Sequence, residues 1–201
     1  MSDLVCLVAD KDMEAALAAL LQRPEAFKIR RISFEIIVHP KRDPGVFREG
    51  VDFLRGFQKR FHHGLLLLDA RWDGAPTDPQ QQLDRALEAA SLESWARAVV
   101  LAPELEVWVW SDSPHVAEVL GWSGRTPDLR SWLAQNGLWV AGTPKPQDPK
   151  RAMERALWEV RKPRSSALYR ALAGIVSVKR CRDPAFLRLR DALQTWFGER
   201  T

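Results

Sequence analysis

Carboxylates placed just after apolar runs are the residues in this chain best suited to chemistry. Asp69 closes the run Leu65-Leu66-Leu67-Leu68, and Asp73 follows within Ala70-Arg71-Trp72-Asp73-Gly74. Asp10 follows the run Leu4–Val8, and Glu104 and Glu106 follow Ala98–Ala102. If these runs are strands of one parallel sheet, their carboxyl ends share an edge, where ligands of such sheets bind. Carboxylates gathered on one edge repel one another unless a cation sits between them. Mg²⁺ or Mn²⁺ is the natural occupant, because hard cations take oxygen ligands. Asp10, Asp69, Asp73, Glu104 and Glu106 are therefore candidate metal ligands, with Asp69 and Glu104 as candidate catalytic residues. The chemistry such a site suits is phosphoryl transfer, where the metal activates water and neutralises the leaving oxygen. Helix capping or a turn explains Asp10 or Asp69 about as well.

The elements that would position these groups are legible in the hydrophobic pattern. Four leucines between a glycine and a Gly/Pro turn read as a strand buried on both faces. Leu4–Val8 reads as a first strand, followed by a helix over Met13–Leu21 with Asp10 or Asp12 at its start. Arg31–His39, rich in β-branched residues and bounded by Pro40, predicts a second strand. Residues 40–46 read as a loop. Val46–Phe61 carries Phe47, Val51, Leu54, Phe57 and Phe61 on one helical stripe. A helix opening at Asp78 and a strand over Ala98–Ala102 follow. Pro103–Trp110 is ambiguous; Pro103 and the two glutamates favour a helical first turn. On a helix Glu104 and Glu106 would be about 200° apart, so only one could face a given site.

Residues 114–139 read as short helices whose tryptophans, Trp122, Trp132 and Trp139, suit packing better than ligand stacking. Residues 141–149 read as a linker. Helical patterns follow over 150–161, 165–174 and 184–197. Strands alternating with helices predict an α/β domain over residues 1–140, a mostly parallel sheet with helices on both faces, and a helical C-terminal part over 150–201.

Composition narrows the class. The net charge is +4, but residues 145–201 carry fourteen Lys/Arg against six Asp/Glu, and residues 1–144 sixteen against twenty. A basic end beside an acidic body points to an anionic partner, nucleic acid or an acidic protein surface, or else to arginine-rich solvated helices. Arg161, Lys162, Arg164, Arg170, Lys179, Arg180 and Arg182 are the candidate nucleic-acid contacts. Only Cys6 and Cys181 are present, which excludes a disulfide framework and a Cys/His zinc site. His39, His62, His63 and His115 lack ligand spacing, and no Gly-x-x-x-x-Gly-Lys loop supports an ATPase. No run approaches the roughly 18 to 20 apolar residues of a membrane helix, and the first ten residues lack secretory character. A reduced, cytoplasmic protein is expected.

Val8-Ala9-Asp10-Lys11-Asp12, Leu68-Asp69-Ala70-Arg71-Trp72-Asp73-Gly74 and Pro103-Glu104-Leu105-Glu106-Val107-Trp108 fall in the order and approximate spacing of the TOPRIM-like fold. That fold is shared by topoisomerases, primases and the OLD-type nucleases. The chain most resembles a small TOPRIM-like domain-of-unknown-function family whose members accompany bacterial anti-phage loci, methylation-associated defence systems among them. Lys162-Pro163-Arg164-Ser165-Ser166-Ala167-Leu168-Tyr169 and Cys181-Arg182-Asp183-Pro184-Ala185-Phe186 look like that family's C-terminal segments. The resemblance implies a Mg²⁺- or Mn²⁺-dependent nuclease working with other defence proteins. It also implies a catalytic lysine near the metal, for which Lys162 is similar in position; a solvated lysine before Pro163 is the alternative.

Two positions depart from the pattern. Ala9 stands where the family's first strand ends in glutamate. Arg71 stands where the second aspartate of Asp-x-Asp belongs. An arginine inside a carboxylate cluster can replace a metal by pairing with Asp69. Three readings follow: a metal-dependent nuclease, a catalytically lapsed TOPRIM-like module that binds nucleic acid or a partner protein, and an α/β protein with neither role.

Overall fold

Leu65, Leu66, Leu67 and Leu68 are all fully buried. An alternating strand would expose every second one, so a strand with four in succession must have cover on both faces. In the computed structural model, which describes residues 1–178 and 181–198, they lie in β3 (Phe61–Asp69). β3 is an inner strand of a four-stranded, all-parallel sheet. β1 (Ser2–Val8) pairs on its one side and β4 (Ala96–Leu101) on its other, while β2 (Phe34–Val38) pairs with the far side of β1. The order is thus β2-β1-β3-β4.

That order dictates where helices go. The chain moves from β1 to one side through α1 (Lys11–Leu21) and the short α2 (Pro24–Phe27). It then reverses, crossing to β3 through α3 (Arg42–Arg55) and on to β4 through α4 (Pro79–Ala89). Right-handed crossovers in opposite directions place α1 on one face and α3 and α4 on the other. The point of reversal lies between β1 and β3, where open α/β sheets form their ligand crevice.

Local chemistry accounts for the element starts. Asp10, Asp78, Asp128, Asp148 and Asp183 each accept a backbone N–H in the first turn of the helix they precede. Three of those helices carry Pro in the first turn, where a missing N–H costs nothing. The helix expected over Val46–Phe61 begins earlier and stops at Arg55. Phe61 instead starts β3, because residues 56–60 turn back and Phe61 is paired with Ser2. Pro103–Trp110 forms only a single 3-10 turn, Leu105–Trp108. The helical first turn that Pro103 and the two glutamates favoured is not continued beyond it.

After β4 come two short helices, α5 (His115–Val119) and α6 (Leu129–Gln135). Trp122 and Trp139 are buried there, each donating its indole N–H to a backbone carbonyl, so packing is their role. Three further helices follow: α7 (Pro149–Glu159), α8 (Ser166–Ile175) and α9 (Pro184–Phe197). They share one apolar core with the sheet; α8 packs along α1 and α9 against β4. The segment before α7 is also tied in, since Lys145 donates to the Val107 carbonyl at 2.7 Å. No helix among the described residues is long and apolar enough to cross a membrane.

Gly64 shows how tightly the central strand is held. A Cβ there would lie 2.6 Å from the Trp95 ring. Gly64→Ala is expected to destabilise the protein by about 1–3 kcal/mol, the usual cost of overpacking, read as a lower midpoint of chemical denaturation.

Candidate functional site

The carboxyl edge of the sheet gathers the acidic residues. Val8 pairs with Leu67 at the end of the β1–β3 register, so Asp10 and Asp69 both follow it at the same edge of the sheet. Each of these carboxylates does local structural work. Asp10 accepts the Met13 N–H at 2.8 Å and so caps α1. Asp69 accepts the Leu105 N–H at 2.8 Å and fixes the start of the 3-10 turn. A third carboxylate joins them: Asp43, in the first turn of α3, accepts the Asp69 N–H at 2.8 Å. Sequence reasoning missed Asp43. The signal was there, because Asp43 follows the second strand as Asp10 follows the first, but Pro40, Pro44 and Gly45 made the stretch read as loop.

The electrostatics of this trio are unfavourable. Burial pushes the Asp69 carboxyl well above the ordinary aspartate range, and the charges of Asp43, Glu106 and Asp10 push it further. Burial likewise raises Asp43, with Asp10 adding to the effect. Among the described residues none of Asp10, Asp43 and Asp69 forms an ion pair.

The two glutamates are treated differently. Glu104 and Glu106 are both buried, and both are matched by cations from α7 and the segment after it. Lys150, in the first turn of α7, lies 3.2 Å from Glu104. Burial works against its charge, but Glu104 and Glu106 outweigh that and hold its pKa above the ordinary lysine value. Glu106, only 2% exposed, accepts a 2.6 Å hydrogen bond from the Tyr169 hydroxyl and lies 3.2 Å from the Arg164 guanidinium. Burial raises its pKa, and Tyr169 and Arg164 offset part of that rise. Arg164 also donates to Asp12 at 2.8 Å, and the Ser166 hydroxyl donates to the same carboxylate at 2.6 Å. Arg164 is thus held charged by its neighbours against the cost of burial.

The remaining sequence candidates lie elsewhere. Arg71 is exposed and pairs with neither Asp69 nor Glu104, and Asp73 is exposed. Lys162 donates to the Val119 carbonyl at 2.6 Å and makes no contact with the carboxylates. Lys150, which sequence reasoning passed over, is the lysine beside them. Of the basic residues, Arg161, Arg170 and Arg182 are exposed without an acidic partner among the described residues. Arg164 is paired with Glu106 and Asp12, and Lys179 and Arg180 lie outside the described residues.

The five-ligand metal site expected from the sequence does not fit this arrangement. Asp73 stands apart, Glu104 and Glu106 already carry cationic partners, and Asp10 and Asp69 each spend an oxygen on a backbone N–H. Among the described residues no three acidic, histidine or cysteine side chains stand close enough to hold a metal ion between them. Comparison of the chain with protein families, curated proteins and solved structures yields no significant match.

Asp69 offers a direct readout of the strain at this edge. Its folded-state pKa is raised, so the stability it contributes is complete below the ordinary aspartate pKa of 3.8 and is lost as pH rises through the raised value. Asp69→Asn keeps an acceptor for the Leu105 N–H and removes the charge. In metal-free buffer at neutral pH the variant is expected to be more stable and to melt at a higher temperature than the native chain. The difference should vanish in acid. Paired thermal melts across the pH range check this.

Proposed function

We propose that this protein is a TOPRIM-like module of a bacterial anti-phage defence system that binds nucleic acid without cleaving it. The observation that carries the reading is the division of its cations. Lys150 and Arg164 pair with Glu104, Glu106 and Asp12, and so neutralise the two glutamates that were expected as metal ligands. Arg161, Arg170 and Arg182 stay outward and unpaired among the described residues, free for phosphate. The chain thus supplies internal charges where a divalent ion would serve, and keeps a basic exterior. Other proteins of the same defence system are the natural source of catalysis.

One observation favours the metal-dependent nuclease instead. Among the described residues Asp10, Asp43 and Asp69 form no ion pair, and Mg²⁺ is often held by only one or two carboxylates together with water.

A single experiment separates the two. Binding of labelled DNA and RNA is measured in chelator across a salt series, and cleavage is measured with added Mn²⁺. The expected result is binding that weakens steeply with salt and no cleavage. Replacing Arg161, Arg170 and Arg182 together by Ala should reduce the salt slope by roughly 2 to 3 if all three meet phosphates. Mn²⁺-dependent cleavage that disappears in Asp69→Ala would establish the nuclease. An absence of nucleic-acid binding at low salt would leave a protein partner as the target of the basic face.

A further inference from the structure

Trp158 is 68% exposed, more than any other aromatic side chain among the described residues. It lies on α7, whose opposite face is buried through Ala152, Met153, Ala156 and Leu157. The helix is therefore fixed in place, and the indole is not a core residue displaced outward. Arg151, Arg155 and Trp158 follow one another at helical spacings of four and three, which puts all three on one stripe. The Arg155 guanidinium lies over the Trp158 ring, 4.8 Å from its centroid. Neither Arg151 nor Arg155 has an acidic partner among the described residues. The acidic residues of the same helix are engaged elsewhere, Glu154 with Arg164 and Glu159 with Arg125. The stripe starts one residue from Lys150, so it runs outward from the carboxylate edge.

We infer that this stripe, Arg151, Arg155 and Trp158, is a contact track for single-stranded nucleic acid; the inference rests on the nucleic-acid-binding reading given above. The chemistry of the stripe selects the strand form. A flat indole with a free face stacks on an unpaired base, and every base offers such a face. Bases inside a duplex are stacked on each other and present only their edges. Two arginines a helical turn apart meet the backbone, and Arg155 steadies the indole from its other side. A protein partner would call for a contiguous apolar patch; this stripe has one aromatic ring among cations.

The test uses the full chain in chelator, with a short oligothymidylate and a duplex of equal length as probes. The single strand is expected to bind more tightly. Trp158→Ala should weaken it on the order of tenfold or more, while Trp158→Phe retains most of the affinity. Arg151→Ala and Arg155→Ala should each lower the salt slope by about 0.7, the contribution of one phosphate contact on a single strand. Arg85→Ala, on α4 and outside the stripe, should change neither. If single-strand binding persists unchanged in Trp158→Ala and Arg155→Ala, or if the duplex binds more tightly, the track is overturned and the broader nucleic-acid reading stands. If neither probe binds at low salt, both fall.

Discussion

The Arg164 guanidinium touches three carboxylates from three parts of the chain: Asp12 of α1, Glu106 after β4 and Glu154 of α7. A planar cation with five N–H donors is suited to this, since it can satisfy several oxygens at once without losing charge. Glu106 could not be buried without it. An unpaired carboxylate in that position would cost several kcal/mol or take up a proton. Tyr169 and Ser166, on the helix that follows Arg164, complete the hydrogen bonding of the same carboxylates. The C-terminal helices are therefore fastened to the sheet edge by charge as well as by the apolar contact of α8 with α1. Among the described residues no buried side-chain polar atom is left without a partner.

This fastening sets the chemical character of the edge. Carboxylates at strand ends serve a metal only when they have spare lone pairs and no competing cation. Here the fold supplies two cations from α7 and the segment after it. What remains is the trio of Asp10, Asp43 and Asp69, each with one oxygen held by a backbone N–H; Asp10 adds to the raised pKa of Asp43, and Asp43 and Asp10 add to that of Asp69. The same segment turns its other cations outward. One helix, α7, thus neutralises the interior with Lys150 and presents Arg151, Arg155 and Trp158 to solvent.

Much of the architecture was legible because the sheet is parallel and buried. The leucine run of β3, the β-branched run of β2 and the periodic helices each had one consistent reading, and the structure bears out the α/β class with an all-parallel sheet and a helical C-terminal part. Boundaries were legible only approximately. Phe61 fits the stripe of the preceding helix and also the start of β3, and only its pairing with Ser2 decides between them. Pro103–Trp110 carries both strand and helix signals, and the hydrogen bond from Leu105 N–H to Asp69 settles a single 3-10 turn.

The sequence by itself determined which residues could be acidic ligands or cations, and that strand ends would bring Asp10 and Asp69 to one edge. Parallel strands have a fixed polarity, so residues that follow them must share a side. It could not determine which charge meets which. Lys150 and Glu104 are separated by 45 intervening residues, and Arg164 and Asp12 by 151, so their pairing depends on how α7 and α8 dock on the sheet. Arg71 lies two residues from Asp69 in the chain yet points away to solvent, while Asp43, much further along the chain, binds the Asp69 backbone. Proximity in sequence says little about side chains across a turn, and only tertiary packing decided that Glu104, Glu106 and Asp12 would meet the protein's own cations.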